Sequence, residues 1–321
     1  MKEGTHKLMT PDFWLICISN FLLYTAVWTL LPVMYAEGYL AGFERLDMTR
    51  AMLLFTLCMI GIGPLHAYLG DTYRRKHVLT FSTLGLALCA GGLLFVNQVW
   101  QLCSLSAVAG ALFGISTTAG ITVAIDITQS RRRGAGNRIY AFSGMMGLFC
   151  GLCFLSKLYL MMDFQQLVYV SLLLWIGCLI AESCVYVSFR APVGVGLLNL
   201  DRFFLPNAWL PALNVCLLAI GVGMTTSLLP PFTMVSPIVF LALTVGIVPL
   251  TRMFVKLSHH CQRGTANTTL QLAMMTGLLV GMIAGESIEN VLILSLVIIG
   301  VSLLVLPLIT LPYFWKKRVR K

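Results

Sequence analysis

Apolar and polar residues alternate along the chain in ten hydrophobic runs, each long enough to cross a bilayer and separated by short polar connections. The runs cover roughly 13–36, 51–70, 78–96, 100–125, 139–162, 167–189, 209–229, 236–256, 267–286 and 290–314. The first is too long for a signal-peptide core and lacks a cleavage site, which predicts that it stays as a helix. The longest connection, Arg190 to Pro206, holds Asp201 and Arg202 and carries two Gly and two Pro. That predicts a six-helix bundle over 1–190, a cytoplasmic linker at 191–208 and a bundle of about four helices over 209–321.

Composition points the same way. Of 321 residues, 58% are apolar and 11% charged, with a mean hydropathy of +0.88. No soluble domain needs so little polar surface, so the fold class is an all-α integral membrane protein. The net charge of +10 would suggest a nucleic-acid partner, but the cations sit in six short clusters at the ends of the runs. Nineteen of the 22 lysines and arginines lie at one set of ends, among them Arg74–Lys76, Arg131–Arg133 and Lys316–Lys321. Only Arg45, Arg50 and Lys157 lie at the other, beside Glu37, Glu44, Asp47, Asp163, Glu286 and Glu289. The excess of positive charge marks the cytoplasmic side and predicts that both termini lie there; no nucleic-acid partner is expected. The ten cysteines are scattered, mostly inside apolar runs, and read best as free thiols behaving as small buried apolar groups. His259 and His260 beside Cys261 invite a metal reading. Adjacent residues diverge on a helix, however, and no second ligand cluster appears, so a solvated loop is expected and neither metal nor cofactor.

One stretch occurs twice. Arg133-Gly134-Ala135-Gly136-Asn137 returns as Arg263-Gly264-Thr265-Ala266-Asn267, and Met145, Gly147 and Gly151 return as Met275, Gly277 and Gly281, all at an offset of 130 residues. Self-similarity at a fixed offset marks an internal repeat, and repeated halves are how many secondary transporters are built. A second offset relates the first run to the seventh. Pro11-Asp12-Phe13-Trp14 aligns with Pro206-Asn207-Ala208-Trp209 at 195 residues, and Leu31-Pro32 with Leu229-Pro230 at 198.

The connection after the second run reads Ala67-Tyr68-Leu69-Gly70-Asp71-Thr72-Tyr73-Arg74-Arg75-Lys76. It resembles the loop between helices 2 and 3 of the major facilitator superfamily, G-x-L-A-D-R-x-G-R-K. Leu69, Asp71, Arg75 and Lys76 match, while Ala67, Thr72 and Arg74 depart from the pattern. Asp126, followed by the basic run and Arg133-Gly134, looks similar to the same family. The resemblance implies a two-bundle transporter in which these charges latch the bundles on the cytoplasmic side. Asp71 would face the N-terminal end of the 267–286 helix, Arg75 would pair with Asp126, and Arg133 and Arg263 would occupy the repeated loop position. The alternative for all of them is that they only stop transfer and reach the interface. The fifth run lacks the Gly-Pro of the family's antiporters, since Leu148 follows Gly147.

Within the runs, Asn20, Tyr24 and Trp28 are four apart and share one helical face. Together with Asn214 and Gln271 they are candidates for lining a solute cavity, with helix packing as the equal alternative. Glu182 is a candidate proton-coupling carboxylate, or a group reaching the interface. The family has twelve helices and this chain offers about ten (6 + 4); the difference between the two offsets is 65 residues, the length of two helices with their loops. The resemblance therefore implies a second bundle without the family's helices 8 and 9, its gap covered by lipid or by a second copy in a homodimer. The expected function is secondary transport of a small solute across a bacterial-type inner membrane by alternating access. The alternative is a transport-defective or regulatory protein derived from such a carrier. No nucleotide-binding, Ser/His/Asp or acid/base arrangement points to an enzyme.

Overall fold

The first helix starts where the local chemistry permits it. Thr10 accepts a hydrogen bond from the Phe13 amide at 3.3 Å, Pro11 takes the first helical position where its missing N–H costs nothing, and Asp12 lies in the positive first turn. From there α1 runs Pro11–Leu30. In this computed structural model the described residues are 9–129, 132–187, 203–226, 250–251, 253–254, 256–258, 263–285, 288 and 290–319. The side chains of Asp71, Arg263 and a few other helical residues lie outside that description.

The chain continues through α2 (Met34–Leu40), α3 (Arg45–Gly61), α4 (His66–Thr72), α5 (Arg75–Gly92), α6 (Val99–Ile127), α7 (Arg133–Cys150) and α8 (Phe164–Cys184). The second half holds α9 (Trp209–Thr226), α10 (Arg263–Gly285), α11 (Val291–Val305) and α12 (Leu311–Val319). Among the described residues there is no strand, and nine helical segments are long and apolar enough to cross a membrane. The expected run at 236–256 falls mostly outside the described residues, as do His259, His260 and Cys261.

Two spans are interrupted for visible reasons. Pro64 cannot donate a backbone hydrogen bond, and between α3 and α4 the chain takes a single 3₁₀ turn at Gly63–Leu65. Pro307 does the same to the last span, where Leu306–Thr310 widens into a π-turn between α11 and α12.

The packing repeats between the halves. In the first, α1 packs on α7 and α8; in the second, α9 packs on α10 and α11. A Cβ at Gly147 would stand 2.2 Å from the Phe21 carbonyl oxygen, and one at Gly151 would stand 2.6 Å from that of Thr25. A Cβ at Gly277 would stand 2.4 Å from the Cys216 carbonyl oxygen, and one at Gly281 would stand 2.2 Å from that of Ile220. Phe21 and Cys216 are 195 residues apart, as are Thr25 and Ile220, while each glycine pair is 130 apart. Both sequence offsets thus meet in one contact. Only a residue without a side chain lets two helix backbones approach this closely, which is why glycine recurs there.

Burial separates central from peripheral spans. About 72% of the α1 span is buried within the protein, against 17% of the last span, whose Ile293, Leu296, Val297 and Leu304 are exposed. An apolar surface of that kind is compatible with lipid and not with water.

Candidate functional site

Where the halves meet, α10 lies against α3 and α6. The amide of Gln271 on α10 donates a hydrogen bond to the hydroxyl of Tyr24 on α1, so two polar side chains that would be costly in an apolar span satisfy each other across the seam. The Tyr24 ring is held edge-on to Phe113 of α6, with ring centres 5.6 Å apart, and Phe113 packs in turn on Phe55 of α3 at 5.9 Å. The hydroxyl is therefore aimed by three helices of the first half.

Beside this bond lies a void of about 20 Å³ lined by His66, Thr117, Thr118, Phe203, Thr268 and Gln271. Phe203 belongs to the segment leading into α9. Its ring lies against Gly63, where a Cβ would stand 1.9 Å from the ring. Close by, the Leu205 amide donates to the Thr269 hydroxyl at 2.9 Å, which ties the segment to α10. Both ring nitrogens of His66 are shielded from solvent and have no hydrogen-bond partner. His66 and Phe203 were not singled out by the sequence; the local signal is a lone histidine within the 51–70 run, directly before Ala67-Tyr68-Leu69-Gly70-Asp71.

The other candidate residues are placed differently. Asn20 donates to the Tyr140 carbonyl at 2.9 Å and the Ser143 hydroxyl at 3.1 Å, so its amide ties α1 to α7. Trp28, 1% exposed, is packed where Gly151 lets α7 approach α1. Asn214 donates to the Ser302 carbonyl and the Thr310 hydroxyl, each at 3.2 Å, and accepts from the Ser302 hydroxyl at 3.1 Å, all inside the second half. Glu182 is 1% exposed within the first bundle. One of its oxygens accepts from Ser19 of α1 and Thr83 of α5, each at 3.0 Å, and its other oxygen has no partner. Of the five cavity candidates, then, Tyr24 and Gln271 meet at the seam.

The basic end of the first half is held by a second set of contacts. One guanidinium nitrogen of Arg75 bridges both carboxylate oxygens of Asp126, at 2.9 and 2.8 Å, while its Nε donates to the Gly70 carbonyl at 3.1 Å. Asp126 is 4% exposed and Arg75 25%, so the pair is mostly shielded. Lys76 donates to the Ser183 and Val185 carbonyls at 2.7 and 2.8 Å, completing the end of α8 where a cation is favoured. The Nε of Arg133 donates to the Thr128 carbonyl at 3.4 Å, turning the chain from α6 into α7. The side chains of Asp71 and Arg263 lie outside the described residues.

A two-bundle helical membrane protein with this charged end and a polar seam defines a class, and comparison with known proteins agrees. The sequence pattern of the Major Facilitator Superfamily matches residues 13–321, and the chain belongs to that family. It is 32% identical over 73 residues to YfiS of Bacillus subtilis strain 168, an uncharacterized MFS-type transporter. That match covers 23% of this chain and 18% of the relative, so the chain spans under a fifth of the curated relative it matches. Two solved structures share the fold. One is the human organic anion transporter MFSD10 (TETRAN), with TM-score 0.59, 13% identity, 91% of this chain covered and 96% of that one. The other is a D323A mutant of the nucleoside transporter NupG, with TM-score 0.60, 11% identity, 91% of this chain covered and 97% of that one. This is a multi-pass membrane protein of a transporter family.

Proposed function

We propose that the chain carries a small polar solute across the membrane by alternating access, its two halves rocking about the seam between α1, α3, α6 and α10. The observation that carries this reading is the Tyr24–Gln271 hydrogen bond. It is a contact between repeated halves that can break and be replaced by solute or water, whereas the glycine contacts inside each half are rigid. Asn20, Trp28 and Asn214 frame the site through packing, and Arg75, Asp126 and Arg133 hold the cytoplasmic end, with Asp71 and Arg263 as latch partners. Both termini are placed on the cytoplasmic side of a bacterial-type inner membrane, and the second half is read as lacking two of the family's helices. The polarity of the seam fits a hydrogen-bonding solute, and the cargoes named for the two structural neighbours, organic anions and nucleosides, set the first probes.

Saturable uptake of uridine or p-aminohippurate into proteoliposomes, lost in Gln271→Ala while the protein stays folded, is the expected result. No saturable uptake, together with an inter-half distance that never changes, would favour a regulatory protein derived from a carrier instead.

A further inference from the structure

At the seam, the two ring nitrogens of His66 are shielded from solvent without a hydrogen-bond partner. His66 opens α4 just after the break at Pro64 and lines the void between the halves. Among the described residues that line the void with it, none carries a charge. α3 offers Met59, α6 offers Thr117 and Thr118, the segment before α9 offers Phe203, and α10 offers Thr268 and Gln271. None of these titrates in the usual range, and Tyr24, whose hydroxyl accepts from Gln271, is not among the lining residues. On the same end, Arg75 is committed to Asp126 and Gly70. The volume of about 20 Å³ admits roughly one water molecule, too few to hydrate an imidazolium.

We infer that His66 is a proton-binding site between the halves, and that the seam closes over it only after its proton has left. The inference rests on the transport reading above and adds the coupled ion. The reaction is a plain proton equilibrium: the ring's second N–H proton passes to water while the seam is open, and the neutral ring is then enclosed. Phe203 on Gly63 and the Leu205–Thr269 hydrogen bond are the parts that shut the void. A group that holds its proton less well when closed stabilises the closed form at high pH and loses that contribution as pH falls. With an open-state value near the ordinary histidine value of about 6.5, the open-to-closed ratio rises about tenfold between pH 7.5 and pH 5.5. Glu182 is enclosed within the first bundle instead, so its titration does not follow seam movement.

The test uses the full chain in detergent, so that pH is equal on both sides. Spin labels stand at Tyr73 and Lys256, which are exposed near the charged ends of the two halves. The expected result is a long-distance population that grows about tenfold relative to the short one between pH 7.5 and 5.5 in the native chain. In His66→Gln that growth should vanish. In His66→Arg, permanently charged, the long distance should dominate at pH 7.5. A pH response unchanged in His66→Gln, or two populations that ignore pH in the native chain, would overturn the inference and leave the moving seam intact. A single distance at every pH would overturn the inference and the transport reading together. If one substitution prevents folding, the native titration and the other variant decide.

Discussion

In the first half, Gly147 of α7 and Gly151 just past its end seat on the carbonyls of Phe21 and Thr25; in the second, Gly277 and Gly281 of α10 seat on those of Cys216 and Ile220. The backbone crossing is the same, while the side chains around it are not. Tyr24 and Trp28 of α1 correspond, 195 residues on, to Ala219 and Gly223 of α9. The first pair therefore presents a large hydroxyl-bearing ring toward the other half, and the second presents Gln271 from α10 to meet it. The polar ties also differ: Asn20 binds the α7 backbone, whereas Asn214 binds α11 and the π-turn after it. Duplication preserved what lets helices touch, and the chemistry diverged on top of it.

The strongest way to break this comparison is to fill both crossings. Gly147→Val and Gly277→Val each push a side chain into a backbone carbonyl, and each should destabilise by the upper part of the roughly 1–3 kcal/mol typical of overpacking, or more. Gly300→Ala, where a Cβ would meet nothing within 4 Å, should stay within about 0.5 kcal/mol of the native chain. Thermal unfolding in detergent reads all three, and a native-like melting temperature for either valine variant would remove the crossing from the account. Next is Arg75→Ala, which takes a charged donor from a shielded carboxylate and should cost about 1–3 kcal/mol, softened by the exposure of Arg75. The same melting experiment checks it, with Asp126→Asn expected to restore part of the loss.

The asparagines sharpen the contrast. Hydrogen bonds between membrane helices average about 0.6 kcal/mol and reach about 1.7. Asn214→Ala removes three side-chain bonds and Asn20→Ala removes two, so the first should lower stability more. The reverse order in detergent unfolding would contradict the bonding pattern. Smallest in stability is Tyr24→Phe, which keeps the packing on Phe113 and loses one bond worth about 0.5–1.5 kcal/mol, enough to raise the open fraction roughly two- to tenfold. Spin-label distances would show that shift while the melting temperature barely moves.

Much of the architecture was legible because its causes are local or periodic. Apolar runs fix spans, basic clusters mark their ends, and the glycines recur because nothing else fits the crossing. The site was less legible. Asn20, Tyr24 and Trp28 share a face by spacing, but that face is divided between α7 and the seam, and only the packing decides which residue turns where. Glu182 reads as a lone carboxylate in an apolar run, and the hydroxyls that bond one of its oxygens come from Ser19 and Thr83, far away in sequence. His66 and Phe203 acquire meaning only when the segment before α9 folds back onto Gly63.

The account's central claim is that the rigid repeated pairs move against each other at the seam. The most direct measurement is the distance distribution between spin labels at Tyr73 and Lys256 in the native chain, recorded in lipid nanodiscs. The account predicts two populations, with the shorter one depleted by Tyr24→Phe and Gln271→Ala. A single narrow distance, unchanged in both variants, would contradict it.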